Sequence, residues 1–196
     1  MKDNFLKTNI NFITKYFNYS DEDLEKISYG LEGIYLTITK LIVLIVLSLI
    51  LGIFKEAIIT LLLFNIIRYT GFGFHAETSF ECLILSIVLF VLVPFILIKI
   101  NLANSLIYLI SSLCIISYLL YAPADTPKRP LLNKKKRLIR KILTVLIGLI
   151  YILLIYLFNN SFIKELLLSS LIIEAIIINP LTYKIFRQSY NNYKNY

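Results

Sequence analysis

The chain has 196 residues, 58% of them hydrophobic, with a mean hydropathy of +0.78. Its apolar residues come in blocks with almost no charge inside, which excludes an ordinary soluble domain and is typical of helices that face lipid. The net charge of +8 predicts no nucleic-acid partner, because the cytoplasmic loops of membrane proteins collect Lys and Arg.

The first 33 residues predict short cytoplasmic or interfacial helices. Residues 5–17 place apolar side chains on one helical stripe and basic or amide side chains off it, which suits a helix lying in the membrane interface. Ser20 and Asp23 resemble a capping box. They predict a second helix that runs into the first span.

Six apolar segments follow and predict an all-α, polytopic membrane bundle over residues 34–178, within a single domain of residues 1–196. They are Ile34 to Phe54, Ala57 to Ile67, Cys82 to Ile98, Leu102 to Tyr121, Ile142 to Phe158, and Phe162 to Ile178. The second is shorter than the roughly 20 residues needed to cross, so it either extends into its flanks or is re-entrant. Pro94 predicts a kink or a loosened turn in the third.

The basic residues predict the orientation of this bundle. If the N-terminus is cytoplasmic and all six segments cross, 17 of the 20 Lys and Arg residues lie inside, and only Lys55, Lys99 and Lys164 lie outside. Both termini, including a tail at 179–196, and the segment 68–81 are then cytoplasmic.

The segment from Arg68 to Cys82 holds His75, the only His of the chain, and one of its two Cys. A thiol protease needs a thiolate nucleophile and a base that takes the thiol proton and later protonates the leaving amine. Seven residues of continuous helix would separate the two groups by about 10 Å, so the helix must break between them. Thr78 and Glu81 have capping-box spacing, which predicts a helix start with Cys82 in its first turn. The positive end of the helix dipole favours a thiolate there.

Other interpretations of this segment stay open on residues alone. A lone His beside a span is usually an interfacial residue, and a lone Cys is usually a small core hydrophobe. One His and one nearby Cys fall short of the ligands of a metal site, so no metal is predicted. Arg68, Gly73 and Glu77 are supporting candidates, through oxyanion or substrate binding or through loop geometry. Arg68 could equally be a snorkelling anchor, and Glu77 an exposed loop carboxylate.

Gly71 and Gly73 let the backbone before His75 take positive φ or approach a substrate closely. Glu174 lies inside the sixth segment, where an ionisable group is costly. It could line a cavity, orient His75 across the bundle, or face a protomer interface. Cys114 is expected to be inert packing within the fourth segment.

The run from Lys128 to Lys141 holds eight bases and no acid. It is expected to set the topology and to contact anionic lipid headgroups, and it could also attract an acidic peptide tail. The residues expected to bind the tail or the lipid are Lys128, Arg129, Lys134, Lys135, Lys136 and Arg137.

These residues resemble the signature of the AgrB family, the accessory gene regulator B proteins, which are membrane endopeptidases that mature quorum-sensing propeptides. The family pattern is an Arg, a Gly two residues before a His-Ala pair, and a Cys seven residues after the His. The residues that fit it are Arg68, Gly73, His75, Ala76 and Cys82. Tyr121-Ala122-Pro123, followed by Lys128, Arg129, Pro130 and Leu131, is similar to the family's Tyr-Ala-Pro element and basic loop. Phe72 departs from the pattern, since many members have Gly there.

The resemblance implies a cysteine endopeptidase of the bacterial cell membrane that uses no cofactor, with His75 and Cys82 as the catalytic pair. Its substrate would be an AgrD-like propeptide with an amphipathic start, a central signal sequence and an acidic tail. Cys82 would form a thioester as the tail leaves, and a nucleophile in the signal would close a thiolactone or lactone ring. The resemblance also suggests a homodimer. The alternative is a small membrane transporter or peptide exporter without proteolytic activity, which six spans and an embedded Glu174 would suit.

Overall fold

A computed structural model describes residues 2–17, 19–76, 78–127 and 130–195, and within these ranges the regular secondary structure is entirely helical. The α-helices are α1 Lys2–Tyr16, α2 Asp21–Ile50, α3 Phe54–Gly71, α4 Ser79–Ile87, α5 Val93–Ile100, α6 Asn104–Tyr121, α7 Lys134–Leu157, α8 Ser161–Ile178 and α9 Pro180–Ile185. A π-helical turn, Val88–Leu92, joins α4 to α5, and a 3₁₀ turn covers Asn192–Asn195.

The chain divides into two compact units, residues 1–47 and 48–196. The first unit contains α1 and most of α2. The Ser20 hydroxyl accepts the Asp23 N–H at 3.2 Å, and α2 begins between them, so the predicted helix start is confirmed. Residues 2–16 are helical as expected, while their location at the membrane interface stays a prediction.

Four helical stretches of the described residues are long and apolar enough to cross a membrane. They are Asp21–Ile50, Ser79–Ile100, Asn104–Tyr121 and Lys134–Leu157. The other two predicted segments correspond to α3 and α8, which have 18 residues each. α3 therefore extends beyond the apolar core at 57–67 on both sides, which was one of the two alternatives. Six crossings and their orientation stay predictions.

The third apolar segment contains its π-helical turn immediately before Pro94. The N–H of Val93 donates to the carbonyl of Val88, five residues back, instead of four. Proline has no N–H to donate and its ring crowds the carbonyl four residues earlier, and a widened turn relieves that conflict. The predicted loosening of this helix is confirmed.

The second unit is built around α8, which contacts α3, α5, α6 and α7. Most of its residues are buried, and they include charged side chains as well as apolar ones. Lys164, for example, donates to the side-chain oxygen of Asn104 at 2.8 Å. Because neighbouring helices cover α8, its charges meet protein instead of lipid. That location explains how this segment can carry three charged residues.

Candidate active site

The predicted break in the helix between His75 and Cys82 is present. α3 ends at Gly71, His75 lies in the following loop with its side chain exposed, and α4 begins at Ser79. Cys82 is half-buried, and its N–H donates to the carbonyl of Thr78 at 3.0 Å, which closes the first turn of α4. The imidazole therefore lies on the loop before α4, and the thiol lies in the first turn of α4.

Thr78 and Glu81 form the predicted capping box. The Thr78 hydroxyl accepts the N–H of Glu81 at 3.2 Å, and the Glu81 carboxylate accepts the N–H of Thr78 at 3.3 Å. Both bonds satisfy amides that lack partners at a helix N-terminus. The Glu81 carboxylate is thus directed to the backbone.

Arg68 holds the loop that carries His75. Its guanidinium donates to three consecutive carbonyls that follow α3, those of Phe72, Gly73 at 3.1 Å and Phe74 at 2.6 Å. Charge-assisted bonds of this kind are stronger than bonds between neutral groups. Arg68 therefore fixes the geometry of the loop, which is one of the supporting roles expected for this residue.

The loop is also paired with the chain that follows α6. Gly73 N–H donates to the carbonyl of Ala124 at 2.6 Å, and Ala124 N–H donates to the carbonyl of Gly71 at 3.0 Å. Ala124 comes directly after Tyr121-Ala122-Pro123, so the two stretches that carry the family resemblance are adjacent. Nothing in the spacing of these stretches along the sequence predicted that contact.

Phe74 anchors the loop in the core. Its side chain is 2% exposed, and its ring centroid lies 4.5 Å from that of Phe186 and 5.9 Å from that of Tyr183. One residue later, the side-chain amide of Gln188 donates to the carbonyl of His75 at 2.9 Å. Tyr183, Phe186 and Gln188, which belong to the predicted tail, therefore contact the loop that carries His75, and sequence reasoning missed this contribution.

The two glycines before His75 have different roles. Gly73 has φ +111°, and a Cβ there would lie 2.4 Å from Nη1 of Arg68 and 2.7 Å from a methyl of Ile177. The expectation of positive φ is wrong for Gly71, which ends α3 in helical conformation. Phe72 takes the positive φ instead, at +58°, and its ring centroid lies 4.3 Å from the guanidinium carbon of Arg140.

The His75 ring makes a local contact of its own. Nδ1 lies 3.0 Å from the carbonyl oxygen of Ala76. In the tautomer that donates this bond, Nε2 carries the lone pair that a general base needs. Glu77, the other candidate to orient the ring, lies outside the described residues.

Asp125 is a structural residue that sequence reasoning missed. It is 2% exposed, and its carboxylate accepts the backbone N–H groups of Leu131 at 3.2 Å, Asn192 at 2.8 Å and Tyr193 at 2.8 Å. A lone acid in an otherwise basic connection is the signal that could have found it. It ties the connection between α6 and α7 to the C-terminal segment.

A basic cavity of about 480 Å³ lies where the end of α6 meets the start of α7. Its lining includes three bases of α7, residues that end and follow α6, and residues near the C-terminus, among them Lys134, Arg137, Lys141, Tyr121, Ala122 and Tyr193. The Arg137 guanidinium carbon lies 3.5 Å from the centroid of the Tyr193 ring. Lys128 and Arg129 lie outside the described residues. Two of the described bases that were expected to bind an acidic tail line this cavity, namely Lys134 and Arg137.

Two polar residues near the candidate site, and Cys114, make ordinary helix contacts. The Ser86 hydroxyl donates to the carbonyl of Cys82 at 2.7 Å, and the Asn65 amide donates to that of Leu61 at 2.8 Å. Cys114 is buried in α6, as expected for a packing residue.

Comparison with known proteins gives a consistent result over most of the chain. The family model described as AgrB, accessory gene regulator B, matches residues 6–178. An AgrB-like protein of Clostridium acetobutylicum is 35% identical over 183 residues, which cover 92% of this chain and 87% of that protein. An AgrB-like protein of Listeria innocua is 32% identical over 178 residues, 90% and 86% of the two chains. The accessory gene regulator protein B of Staphylococcus aureus is 28% identical over 182 residues, 91% and 95% of the two chains. No solved structure gives a significant match.

Proposed function

The chain belongs to the accessory gene regulator B family, and on that premise we propose that it is a membrane cysteine endopeptidase that cleaves and cyclises an AgrD-like propeptide for quorum sensing. The observation that supports the proposal is the break between α3 and α4, which places His75 in a loop held by Arg68 and Cys82 in the first turn of the next helix. An imidazole and a thiol are the two groups that thiol-protease chemistry requires.

In the first step, the sulfur of Cys82 attacks the carbonyl carbon at the junction between the signal sequence and the tail. His75 takes the thiol proton and gives it to the leaving amine as the C–N bond breaks. The C-terminal tail departs, and the rest of the peptide remains on Cys82 as a thioester.

In the second step, a Cys or Ser side chain within the signal sequence attacks the thioester. His75 takes the proton of that side chain as the new S–C or O–C bond forms and closes the ring. The bond between the carbonyl carbon and the Cys82 sulfur breaks, and His75 gives the proton to the departing sulfur, which regenerates the thiol. Exchange of one thioester for another is close to isoenergetic, so this step needs no nucleotide. Making a thioester from an amide is uphill, so loss or degradation of the tail must draw the reaction forward.

Ring closure must outrun hydrolysis of the thioester. A site at the membrane boundary that holds the acyl peptide folded favours the internal nucleophile over water, because the effective concentration of a positioned group is high. The distribution of bases supports a cytoplasmic location for this site, since 17 of 20 lie on that side in the six-span arrangement.

The acyl-enzyme is the intermediate that tests this proposal most directly. We expect a propeptide whose ring-forming nucleophile is changed to Ala to leave its N-terminal fragment attached to Cys82 after acid quenching. Intact-mass and peptide mass spectrometry of the protein in liposomes, incubated with an AgrD-like propeptide that carries this Ala substitution, would detect the adduct, and hydroxylamine should release it. Cleavage with the adduct on another residue, or with no adduct at any time, would refute the thioester mechanism.

The basic end of α7 supports a role in holding the acidic tail. Three exposed bases fill its first turn: Lys134, Lys135 and Lys136. Changing all three to Gln should raise KM for the propeptide about five- to tenfold at low salt, with a smaller effect at high salt, because exposed charges act through a screened field.

Kinetics at two ionic strengths, after a check of membrane insertion, would measure this effect. The matched control neutralises three bases of α1 and α2, namely Lys7, Lys15 and Lys26. Equal KM changes in the two triple variants would mean that net charge or lipid contact acts, and that α7 does not recognise the tail.

A further inference from the structure

Glu174 is a fully buried carboxylate on the central helix α8. Its side chain has no exposed surface, and neither carboxylate oxygen has a hydrogen-bond partner within the described part of the chain. Burying an ionised carboxylate is costly unless a positive charge compensates it. An ionised acid in this position therefore requires a positive group nearby.

The side chain points at the end of α3. A Cβ built on Gly71 would lie 2.1 Å from one carboxylate oxygen of Glu174 and 3.1 Å from its carboxyl carbon. It would also lie 3.3 Å from a methyl of Thr144 on α7. The missing side chain at Gly71 is thus what makes room for the carboxylate.

Arg68 supplies the positive charge at this end of α3. Arg68 and Glu174 interact electrostatically. One turn of helix separates Arg68 from Gly71, and one turn of α8 separates Glu174 from Ile177, so both pairs share a helix face. Ile177 lies next to Gly73, and the Arg68 guanidinium lies next to Gly73 as well. The acid and the guanidinium therefore both lie at the interface of α3 and α8, without a direct hydrogen bond between them.

On its other side, the same guanidinium donates to the carbonyls of Phe72, Gly73 and Phe74, directly before His75. A guanidinium held only by neutral carbonyls inside the protein would lack a compensating negative charge. An ionised Glu174 on the other side of the interface would supply that negative charge, and the fork would then stay directed at the loop.

We propose that Glu174 is a positioning residue, the buried counter-charge that keeps Arg68 bound to the loop carrying His75. The inference rests on the proposed function for its kinetic consequence, but the effect on the loop is independent of it. Glu174 touches neither the substrate nor the reacting atoms in this account. It acts through Arg68.

The test compares Glu174→Gln, which removes the charge and keeps the shape, with Glu165→Gln. Glu165 is also buried on α8, at 3% exposure, and nine residues of helix place it about 13 Å away. Glu174→Gln should lower kcat for propeptide cleavage at least tenfold with KM within twofold of wild type, and Glu174→Asp should restore part of it. Glu165→Gln should leave both constants within twofold.

Hydrogen exchange measured by mass spectrometry separates this inference from the proposed function. In Glu174→Gln, the amides of residues 72–76 should exchange at least tenfold faster, while those of α3 and α8 keep their protection. Gly71→Ala, which displaces the carboxylate without removing its charge, should do the same. Unchanged exchange at 72–76, or a loss of protection spread evenly over α3 and α8, would overturn the inference. If the wild-type protein cleaves no propeptide, the proposed function fails and the exchange data still decide the role of Glu174.

Discussion

Replacing Cys82 with Ser, or His75 with Ala, should each lower the rate of propeptide cleavage by about 10³-fold or more, because each change removes a group that takes part in bond making or proton transfer. Combining the two changes should cost little beyond either one alone, since the two groups act as a unit. The measurement is the appearance of the free C-terminal fragment, with the protein reconstituted in liposomes.

Cys114→Ala is the matched control for the thiol. Cys114 is buried in the middle of α6, so its replacement by a smaller apolar residue should keep cleavage within about twofold of wild type. Membrane insertion should be intact in all three variants. Cleavage that survives both Cys82→Ser and His75→Ala would exclude the peptidase mechanism and favour the transporter alternative, which requires neither side chain.

Gly73→Ala should have the second largest effect. Position 73 has φ +111°, which a residue with a Cβ adopts only under strain, and the added carbon would lie 2.4 Å from the Arg68 guanidinium. We expect a loss of about 1–3 kcal/mol in stability and a fall in cleavage of about 100-fold, because the Arg68 fork and the His75 loop cannot both keep their places. Thermal unfolding in detergent and cleavage kinetics would measure the two effects.

Gly33→Ala is the control for adding a methyl group to a glycine. Gly33 lies within α2, and a Cβ there meets nothing within 4 Å. In a helix interior, Ala is favoured over Gly by about 1 kcal/mol, so this variant should be as stable as wild type or slightly more so. If the Gly73→Ala variant cleaved the propeptide at the wild-type rate and kept the wild-type stability, that result would contradict the contacts described between Arg68 and the loop.

Several features of the fold could be read from the sequence because they depend on neighbouring residues. Apolar runs marked the helices, since a chain in lipid must satisfy its backbone polar groups within each segment. The capping box at Thr78 and Glu81 and the loosened turn before Pro94 follow from groups three to five residues apart. The candidate pair was likewise found locally, because His75 and Cys82 are the nearest His and Cys along the chain.

Only the tertiary structure decides which residues far apart along the sequence lie next to one another. Arg68 could be assigned several roles from its position, and only the folded loop shows its guanidinium on three carbonyls. Glu174 lies more than a hundred residues from Gly71, and Ala124 about fifty from Gly73, yet both contacts shape the site. Hydrophobic periodicity and capping chemistry report only on residues within a few turns of one another. The packing of α8 between its neighbours brings these pairs together, and that packing depends on the side chains of several helices at once.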